Sequence, residues 1–209
     1  KKKKLTPHPH IFLMIFEKHL SLKFFYLHQF PLFHLEFSNY FSFYYYVGNA
    51  VYKKWKQYYD VLTYDLDESK STSTLHNLVM LCDTIFVCLP TPMNKSGECD
   101  LSTLQQSLFD INTLIEFEDA RSKTIIVKST IPPGTTEQLN KDFKYLNIIF
   151  NPEFLTERNA EEDYNNQTRI IIGGPRPQST DVVRLFSKVF PNAKLIKTHS
   201  TYAEIFFFF

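Results

Sequence analysis

Glycine is scarce in this chain of 209 residues: there are five, and none of them lies in residues 1–46. That first segment is instead crowded with Phe, Tyr, His and Leu, and it keeps neither a helical nor a strand period for long. We therefore predict that residues 1–46 are an aromatic-rich segment of atypical composition, either disordered or foreign to the fold that follows.

Excess charge of one sign is also absent, because the balance of acidic and basic residues leaves a net charge of +1. This balance gives no reason to expect nucleic acid or an anionic membrane as a partner. A lysine run at residues 1–4 and an apolar run at residues 11–16 imitate a signal peptide, but Glu17 ends the apolar run early and no small-residue cleavage site follows. We expect neither secretion nor insertion into a membrane.

Cysteine is limited to Cys82, Cys88 and Cys99, which is an odd number. None of them lies at a zinc-ligand spacing from another Cys or from a His, so the sequence predicts neither a disulfide framework nor a metal site. A reducing, cytoplasmic setting fits this cysteine content.

From Val47 onward, short β-branched runs alternate with amphipathic segments, the pattern of βα units around a parallel sheet. We predict an α/β fold with a Rossmann-like, doubly wound parallel sheet. The predicted strands are 61–64, 84–89, 124–128, 147–150, 169–172 and 194–197. The predicted helices are 47–57, 75–81, one that is N-capped by Asp100, one that ends near residue 143, 180–190, and one that starts at the capping box of Thr201 and Glu204.

A carboxylate closes the predicted strand at 61–64. Asp65 lies 17 residues after Gly48, near the spacing at which dinucleotide-binding folds bind the adenosine ribose and disfavour the extra phosphate of NADP. Taken alone, an Asp after a strand is more often a turn residue. If Gly48 is the third glycine of a G-x-G-x-x-G turn, the first two positions hold Phe43 and Tyr45, whose side chains obstruct the tight turn and a pyrophosphate. Affinity for NAD should then be reduced.

Three further loops follow predicted strands, at the edge where ligands gather in an open parallel sheet. Two prolines stiffen the loop of Pro90 and Thr91, which suits a cofactor surface or merely a rigid loop. Hydroxyls in the loop at 128–136 can hold a water, a phosphate or a carbonyl, or can cap the next helix. Glu153 and Glu157 would share a face if their segment is helical, either as an acid/base pair or as solvated surface.

Four segments of the chain occur in a distinctive order and spacing. They are FVCLPTPM at 86–93, GECDLS at 97–102, KSTIPPGTT at 128–136 and NPEFLTE at 151–157. Together they resemble the N-terminal NAD-binding domain of the UDP-glucose/GDP-mannose dehydrogenase family, and within it the UDP-glucose 6-dehydrogenases, from residue 47 to about residue 205. The resemblance implies a Rossmann domain at 47–199 and the start of a connecting helix at 200–209, truncated before the family's C-terminal domain.

The resemblance implies an NAD-dependent oxidoreductase of nucleotide-sugar metabolism. Such an enzyme converts UDP-glucose to UDP-glucuronate by two hydride transfers to NAD, through an aldehyde and a cysteine thioester. The implied cofactor-binding residues are Val47, Gly48, Asp65, Pro90, Thr91, Thr130 and Glu157. The implied catalytic residues are Thr130, which would help to hold a water, Glu153, as the acid/base or water-positioning carboxylate, and Glu157; the implied substrate-binding residues are Glu153, Phe154, Leu155 and Thr156.

Two of the family's reactive groups have no counterpart in this sequence. The nucleophilic cysteine belongs to a Gly-rich motif of the C-terminal domain, and none of the three cysteines here has that context. The family also continues Ala-Glu-x-x-Lys, where the lysine stabilises an oxyanion, whereas Phe207 follows Ala203 and Glu204 at that spacing. We therefore expect no turnover by this chain alone, and we expect oligomerisation only through parts of the family that it lacks.

Three alternatives remain open on the sequence. The domain could serve a GDP-mannose or UDP-N-acetylmannosamine 6-dehydrogenase instead. It could be a non-catalytic nucleotide-binding protein, with residues 1–46 as an interaction surface. The third alternative is that translated noncoding sequence flanks a genuine coding segment.

Overall fold

The structure, a computed structural model, describes residues 11–15 and 46–206, with only the backbone of residues 11–15 and of Glu157. It contains a seven-stranded sheet in the order β2-β1-β3-β4-β5-β6-β7, parallel throughout except between β5 and β6. The strands are β1 Ile11–Ile15, β2 Val61–Tyr64, β3 Thr84–Cys88, β4 Lys123–Val127, β5 Leu146–Phe150, β6 Arg169–Gly173 and β7 Lys194–Thr198. This confirms the predicted α/β, doubly wound fold.

Helices connect these strands and cover both faces of the sheet, as a parallel sheet requires. They are α1 at 46–55, α2 Leu75–Leu81, α3 Ser102–Phe117, α4 Thr135–Asp142, α5 Ala160–Asn165, α6 Gln178–Val189 and α7 Ser200–Ile205. Short 3-10 turns occur at Glu68–Lys70 and Glu157–Asn159. Within the described residues, no helix is long and apolar enough to cross a membrane.

The first strand corrects the sequence analysis. Residues 1–46 were predicted to be disordered or foreign to the fold, yet Ile11–Ile15 lies between β2 and β3 and pairs with both in parallel. The physical reason is that a strand paired on both sides within a parallel sheet can have a continuous apolar run without alternation, as the letters IFLMI do. The predictions for residues 1–10 and 16–45, including Phe43 and Tyr45, lie outside the described residues.

Two hydrophobic clusters lie on opposite faces of the sheet. Ile85 and Val87 of β3 point into the cluster under α2, α3 and α4, whereas Phe86 and Cys88 point into the cluster under α1, α5 and α6. The second cluster is centred on Trp55, which is fully buried and lies with its ring centroid 4.9 Å from that of Phe86. The alternation along one strand therefore fixes which helices cover which face.

Two helix starts differ from the sequence prediction. Leu101, not Asp100, is the N-cap of α3, although the Asp100 carboxylate still accepts a hydrogen bond from the Ser102 N–H at 2.9 Å. The predicted capping box at Thr201 is wrong, because α7 starts at Ser200. Glu204 reaches another helix instead: its carboxylate accepts from the backbone N–H groups of Gly134 and Thr136 at the start of α4.

Candidate functional site

The sheet brings the predicted site loops to one edge. One row of paired residues crosses the five strands from β2 to β5. Outside β1, its members are Tyr64 of β2, Val87 of β3, Val127 of β4 and Phe150 of β5. The next residues along these strands therefore emerge side by side at the carboxyl edge. The order of strands reverses between β1 and β3, and this switch point is where open α/β sheets bind ligands.

Asp65 occupies the end of β2 and is only 2% exposed. Its Oδ1 accepts a hydrogen bond from the backbone N–H of Asp67 at 2.8 Å, so the carboxylate has a fixed orientation. The Ser71 hydroxyl also contacts both backbone polar groups of Asp65 at 2.9 Å. Asp65 thus organises its own turn, as the plainer interpretation predicts, and its carboxylate lies at the end of the strand next to the switch point.

The loops after β3 and β4 are tied together by hydrogen bonds. The Thr91 hydroxyl donates to the carbonyl oxygen of Thr130 at 2.6 Å, and the Leu89 N–H donates to the buried Ser129 hydroxyl at 2.8 Å. Pro90 and Thr130 are both half-buried. The structure therefore brings together the two loops that were predicted to border the cofactor.

The predicted phosphate-side residues lie in the first turn of α1. Val47 and Gly48 are both buried, and the side chain of Val47 packs in the core cluster with Ala50, Val51 and Trp55. Any contact of these two residues with a cofactor would therefore come from the backbone at the helix N-terminus.

Glu153 is a buried carboxylate with hydrogen bonds to one oxygen and an ion pair at the other. Oε1 accepts from the backbone N–H groups of Phe154 and Leu155, at 2.8 and 3.1 Å. Oε2 lies 2.8 Å from the Nζ atom of Lys128, whose side chain is only 1% exposed. The orientation of the carboxylate is therefore fixed from both sides.

Sequence reasoning named no role for Lys128, Asn151 or Tyr164, and the structure places all three around Glu153. Lys128 also donates to Oδ1 of Asn151 at 2.9 Å and lies 5.4 Å from the ring centroid of Tyr164. Tyr164 accepts from the indole N–H of Trp55 at 2.8 Å, and burial raises the pKa of its hydroxyl well above the usual value. The sequence offered one indication of this cluster: Lys128 directly follows a buried strand, where a lysine side chain is drawn into the interior.

The remaining substrate-side predictions have different environments. Phe154 is 48% exposed, whereas Leu155 is buried in the core. The Thr156 hydroxyl donates to the Asp163 carboxylate at 2.6 Å and lowers its pKa. Residues 151–156 are not helical, so the helical spacing proposed for Glu153 and Glu157 is absent, and the side chain of Glu157 lies outside the described part of the chain.

The cysteines are free thiols with different access to solvent. Burial raises the pKa of Cys82 to about 11 and that of Cys88 to about 12. Cys99 is half-buried, and burial raises its pKa as well. In residues 11–15 and 46–206, no group of His, Cys, Asp or Glu could hold a metal ion.

Thiol alkylation of the native protein at pH 8 should therefore modify Cys99 first. Cys82 and Cys88 are fully buried and need pH values near 11 or 12 to ionise, so iodoacetamide should reach them only after unfolding. Mass spectrometry of peptides from native and urea-treated samples measures the three rates. Labelling of Cys88 as fast as Cys99 in the native sample would contradict this arrangement.

Comparison with known proteins identifies the domain. Residues 60–192 match the family model described as the UDP-glucose/GDP-mannose dehydrogenase family, NAD binding domain. The UDP-glucose 6-dehydrogenase of Rickettsia bellii is 32% identical over 143 residues, which cover 65% of this chain and 32% of the relative. A putative UDP-glucose 6-dehydrogenase of Bacillus subtilis is 37% identical over 99 residues, covering 44% and 22%. The chain thus spans about a third or less of these relatives.

Solved structures show the same fold. The GDP-mannose dehydrogenase of Pseudomonas aeruginosa, solved as a ternary complex, superposes with a TM-score of 0.65 at 22% identity, over 78% of this chain and 46% of that one. The UDP-glucose dehydrogenase of Pyrobaculum islandicum gives 0.66 at 19% identity, over 97% and 50%. The chain belongs to the UDP-glucose/GDP-mannose dehydrogenase family, and it carries the NAD-binding domain of that family.

Proposed function

We propose that this domain binds NAD and one side of a nucleotide sugar, UDP-glucose above all, in a 6-dehydrogenase that forms UDP-glucuronate. The observation that carries the proposal is the alignment of Asp65, the tied loops of Thr91 and Thr130, and the buried Glu153 along one carboxyl edge. GDP-mannose and UDP-N-acetylmannosamine are the alternative substrates. NAD, when bound, would accept the hydride from the sugar carbon.

The cofactor side of the site would be formed by residues at three strand ends. Asp65 would accept hydrogen bonds from the adenosine ribose, since its carboxylate is fixed at the end of β2. Pro90, Thr91 and Thr130 would border the cofactor, because the hydrogen bond between the two threonines makes one continuous surface of their loops. Glu157 would lie toward the nicotinamide.

The substrate side would be formed by the loop after β5. Glu153 would position a water or exchange its proton, because hydrolysis of a thioester requires a water whose proton has an acceptor. Thr130 would help to hold that water. Phe154, Leu155 and Thr156 would contact the sugar nucleotide, and among them the half-exposed Phe154 ring offers the accessible apolar surface.

We further propose that none of the three cysteines of this chain forms the thioester. A nucleophilic cysteine needs a substantial thiolate fraction at neutral pH, whereas burial raises the pKa of Cys82 to about 11 and that of Cys88 to about 12. The Cys99 thiol is directed at the backbone carbonyl oxygens of Thr91 and Thr130, at 3.6 and 3.7 Å. Oxidation of the sugar to the carboxylate by this chain alone should therefore not occur.

Substitution of Asp65 by Asn tests the cofactor assignment. Asp65→Asn keeps an acceptor for the Asp67 N–H but removes the charge, so the dissociation constant for NAD should rise about tenfold, in line with the loss of one charge-assisted hydrogen bond. The preference for NAD over NADP should narrow in the same variant. Isothermal titration calorimetry with both nucleotides measures the two effects.

Asp67→Asn is the matched control, because it removes the same charge two positions further along the chain. The Asp67 side chain only caps the turn, by accepting from the N–H and the hydroxyl of Ser69. This variant should leave the affinity for NAD within about twofold of the native value. Equal weakening by both variants would mean that only the net charge matters. Unchanged binding by Asp65→Asn, with a native circular dichroism spectrum, would reject the assignment of Asp65 to the ribose.

A further inference from the structure

Lys128 is a buried ammonium at the end of β4 with three partners. Its Nζ atom lies 2.8 Å from Oε2 of Glu153 and 2.9 Å from Oδ1 of Asn151, and the ring of Tyr164 lies 5.4 Å away. Its side chain is 1% exposed and that of Glu153 is 4% exposed. A charge so deeply buried is tolerated only where it has close partners, and here these are an anion, an amide oxygen and an aromatic face. The contact with Oε2 of Glu153 is a close ion pair without hydrogen-bond angles, whereas the contact with Asn151 is a hydrogen bond.

The partners of Lys128 are themselves held in place. Asn151 donates from its Nδ2 atom to the carbonyl oxygen of Ile171 at 2.8 Å, which turns its Oδ1 toward the ammonium. Tyr164 is fixed by the hydrogen bond from Trp55. Apart from Glu153 itself, the partners of the ammonium are therefore anchored outside the Glu153 side chain, through Asn151 to β6 and through Tyr164 of α5 to Trp55 of α1.

The two oxygens of Glu153 depend on different parts of the fold. Oε1 contacts only N–H groups of its own loop, those of Phe154 and Leu155, and these would move with the loop. Oε2 is the oxygen that connects the loop to the rigid sheet, and Lys128 is its partner. Removing the ammonium leaves a buried carboxylate without its opposite charge, which favours reorientation of the side chain.

We propose that Lys128 is the positioning residue for Glu153: it holds the carboxylate in one orientation, with Asn151 and Tyr164 holding Lys128. The proposal rests on the proposed function only for its consequence, which is that UDP-glucose meets a correctly placed Glu153. Lys128 itself need not touch the substrate.

A double-mutant cycle read by NMR tests this positioning without any ligand. Lys128→Met should shift the backbone amide signals of Phe154 and Leu155, because the carboxylate that accepts from them changes its orientation. In a Glu153→Gln background the same lysine substitution should leave these two amides nearly unchanged, since Lys128 reaches them only through Glu153. Lys128→Arg should restore the native pattern at least in part.

Lys123→Met is the matched control, because Lys123 is a second buried lysine at the opposite end of β4, 3.9 Å from the Asp83 carboxylate. It should not shift the amides of Phe154 and Leu155. Equal shifts in the native and Glu153→Gln backgrounds would overturn the proposal, because the effect of Lys128 would then bypass Glu153.

If Lys128→Met does not fold, a measurement on the unmodified chain decides the point. The ammonium protons of Lys128 should be observable by NMR and exchange with water far more slowly than those of the exposed Lys95. Exchange as fast as that of Lys95 would overturn the proposal.

Titration with UDP-glucose in the presence of NAD separates the positioning from the proposed function. Lys128→Met should weaken UDP-glucose binding about tenfold while NAD affinity stays within about twofold. If the amide shifts depend on Glu153 as expected but no variant binds UDP-glucose, the proposed function is rejected and the positioning role of Lys128 stands. An unchanged UDP-glucose affinity in a variant with shifted amides would reject the consequence for the substrate.

Discussion

Gly173→Ala should lower the free energy of unfolding by about 3 kcal/mol, the upper part of the range for overpacking a core. A Cβ atom at this last residue of β6 would lie 2.4 Å from the Cβ of Ala203 and 3.1 Å from the Cα of Ser200. The carbonyl oxygen of His199 would be 3.3 Å away. Most of these atoms belong to the backbone of α7 and its N-cap, so no rotamer change can relieve the contact and α7 has to move.

Gly174→Ala is the matched control for this prediction. Its Cβ would also lie 2.4 Å from a neighbour, but that neighbour is Cδ1 at the end of the Ile149 side chain, and the Cα of Ile149 is 3.4 Å away. Rotation of one side chain can relieve this contact, so the cost should be about 1 kcal/mol or less. Urea unfolding followed by the fluorescence of Trp55, the single tryptophan, measures both variants. A loss of unfolding free energy for Gly173→Ala as small as that expected for Gly174→Ala would show that α7 is not tightly packed on β6.

The fold was predictable from the sequence wherever a segment carried its own period. The strands at 61–64 and 84–89 and the helix at 75–81 agree with the structure to within one residue, because β-branched runs and an amphipathic helix are local signals. The strand at 11–15 was missed because its apolar run has no alternation and lies next to segments of similar composition. Only its partners β2 and β3 define it.

The candidate site was predictable for residues that follow strands and not for the contacts between them. Glu153 could be named from its motif, but its ion pair with Lys128 joins residues 25 positions apart, and nothing in the local sequence specifies that pairing. For Thr201 and Glu204, the local pattern instead predicted a contact that the structure does not contain. Their spacing matches a capping box, but the carboxylate of Glu204 caps α4 instead, because the packing of α7 places it there.

Glu204→Ala should lower the free energy of unfolding by about 3 kcal/mol, since it removes two hydrogen bonds to a charged group. Glu204 is fully buried, with Oε2 accepting from the Gly134 N–H and Oε1 accepting from the Thr136 N–H at 2.7 Å. Without the carboxylate, the buried N–H of Thr136 and the half-buried N–H of Gly134 lose their partner at the start of α4. The loss should also loosen the loop that carries Thr130, four residues before Gly134.

Glu204→Gln tests whether both acceptor oxygens are needed, because it keeps a side chain of the same size with only one of them. The amide fits the same space but has one acceptor oxygen, so its NH₂ group must face one of the two N–H donors, and the cost should approach that of the alanine variant, about 2 kcal/mol. Glu137→Gln is the control, because Glu137 contacts Thr201 and His199 across the same helix pair but is 43% exposed. It should cost about 0.5 kcal/mol or less. If Glu204→Gln unfolds at the native urea concentration, a single acceptor suffices and the two-point attachment of α7 to α4 is wrong.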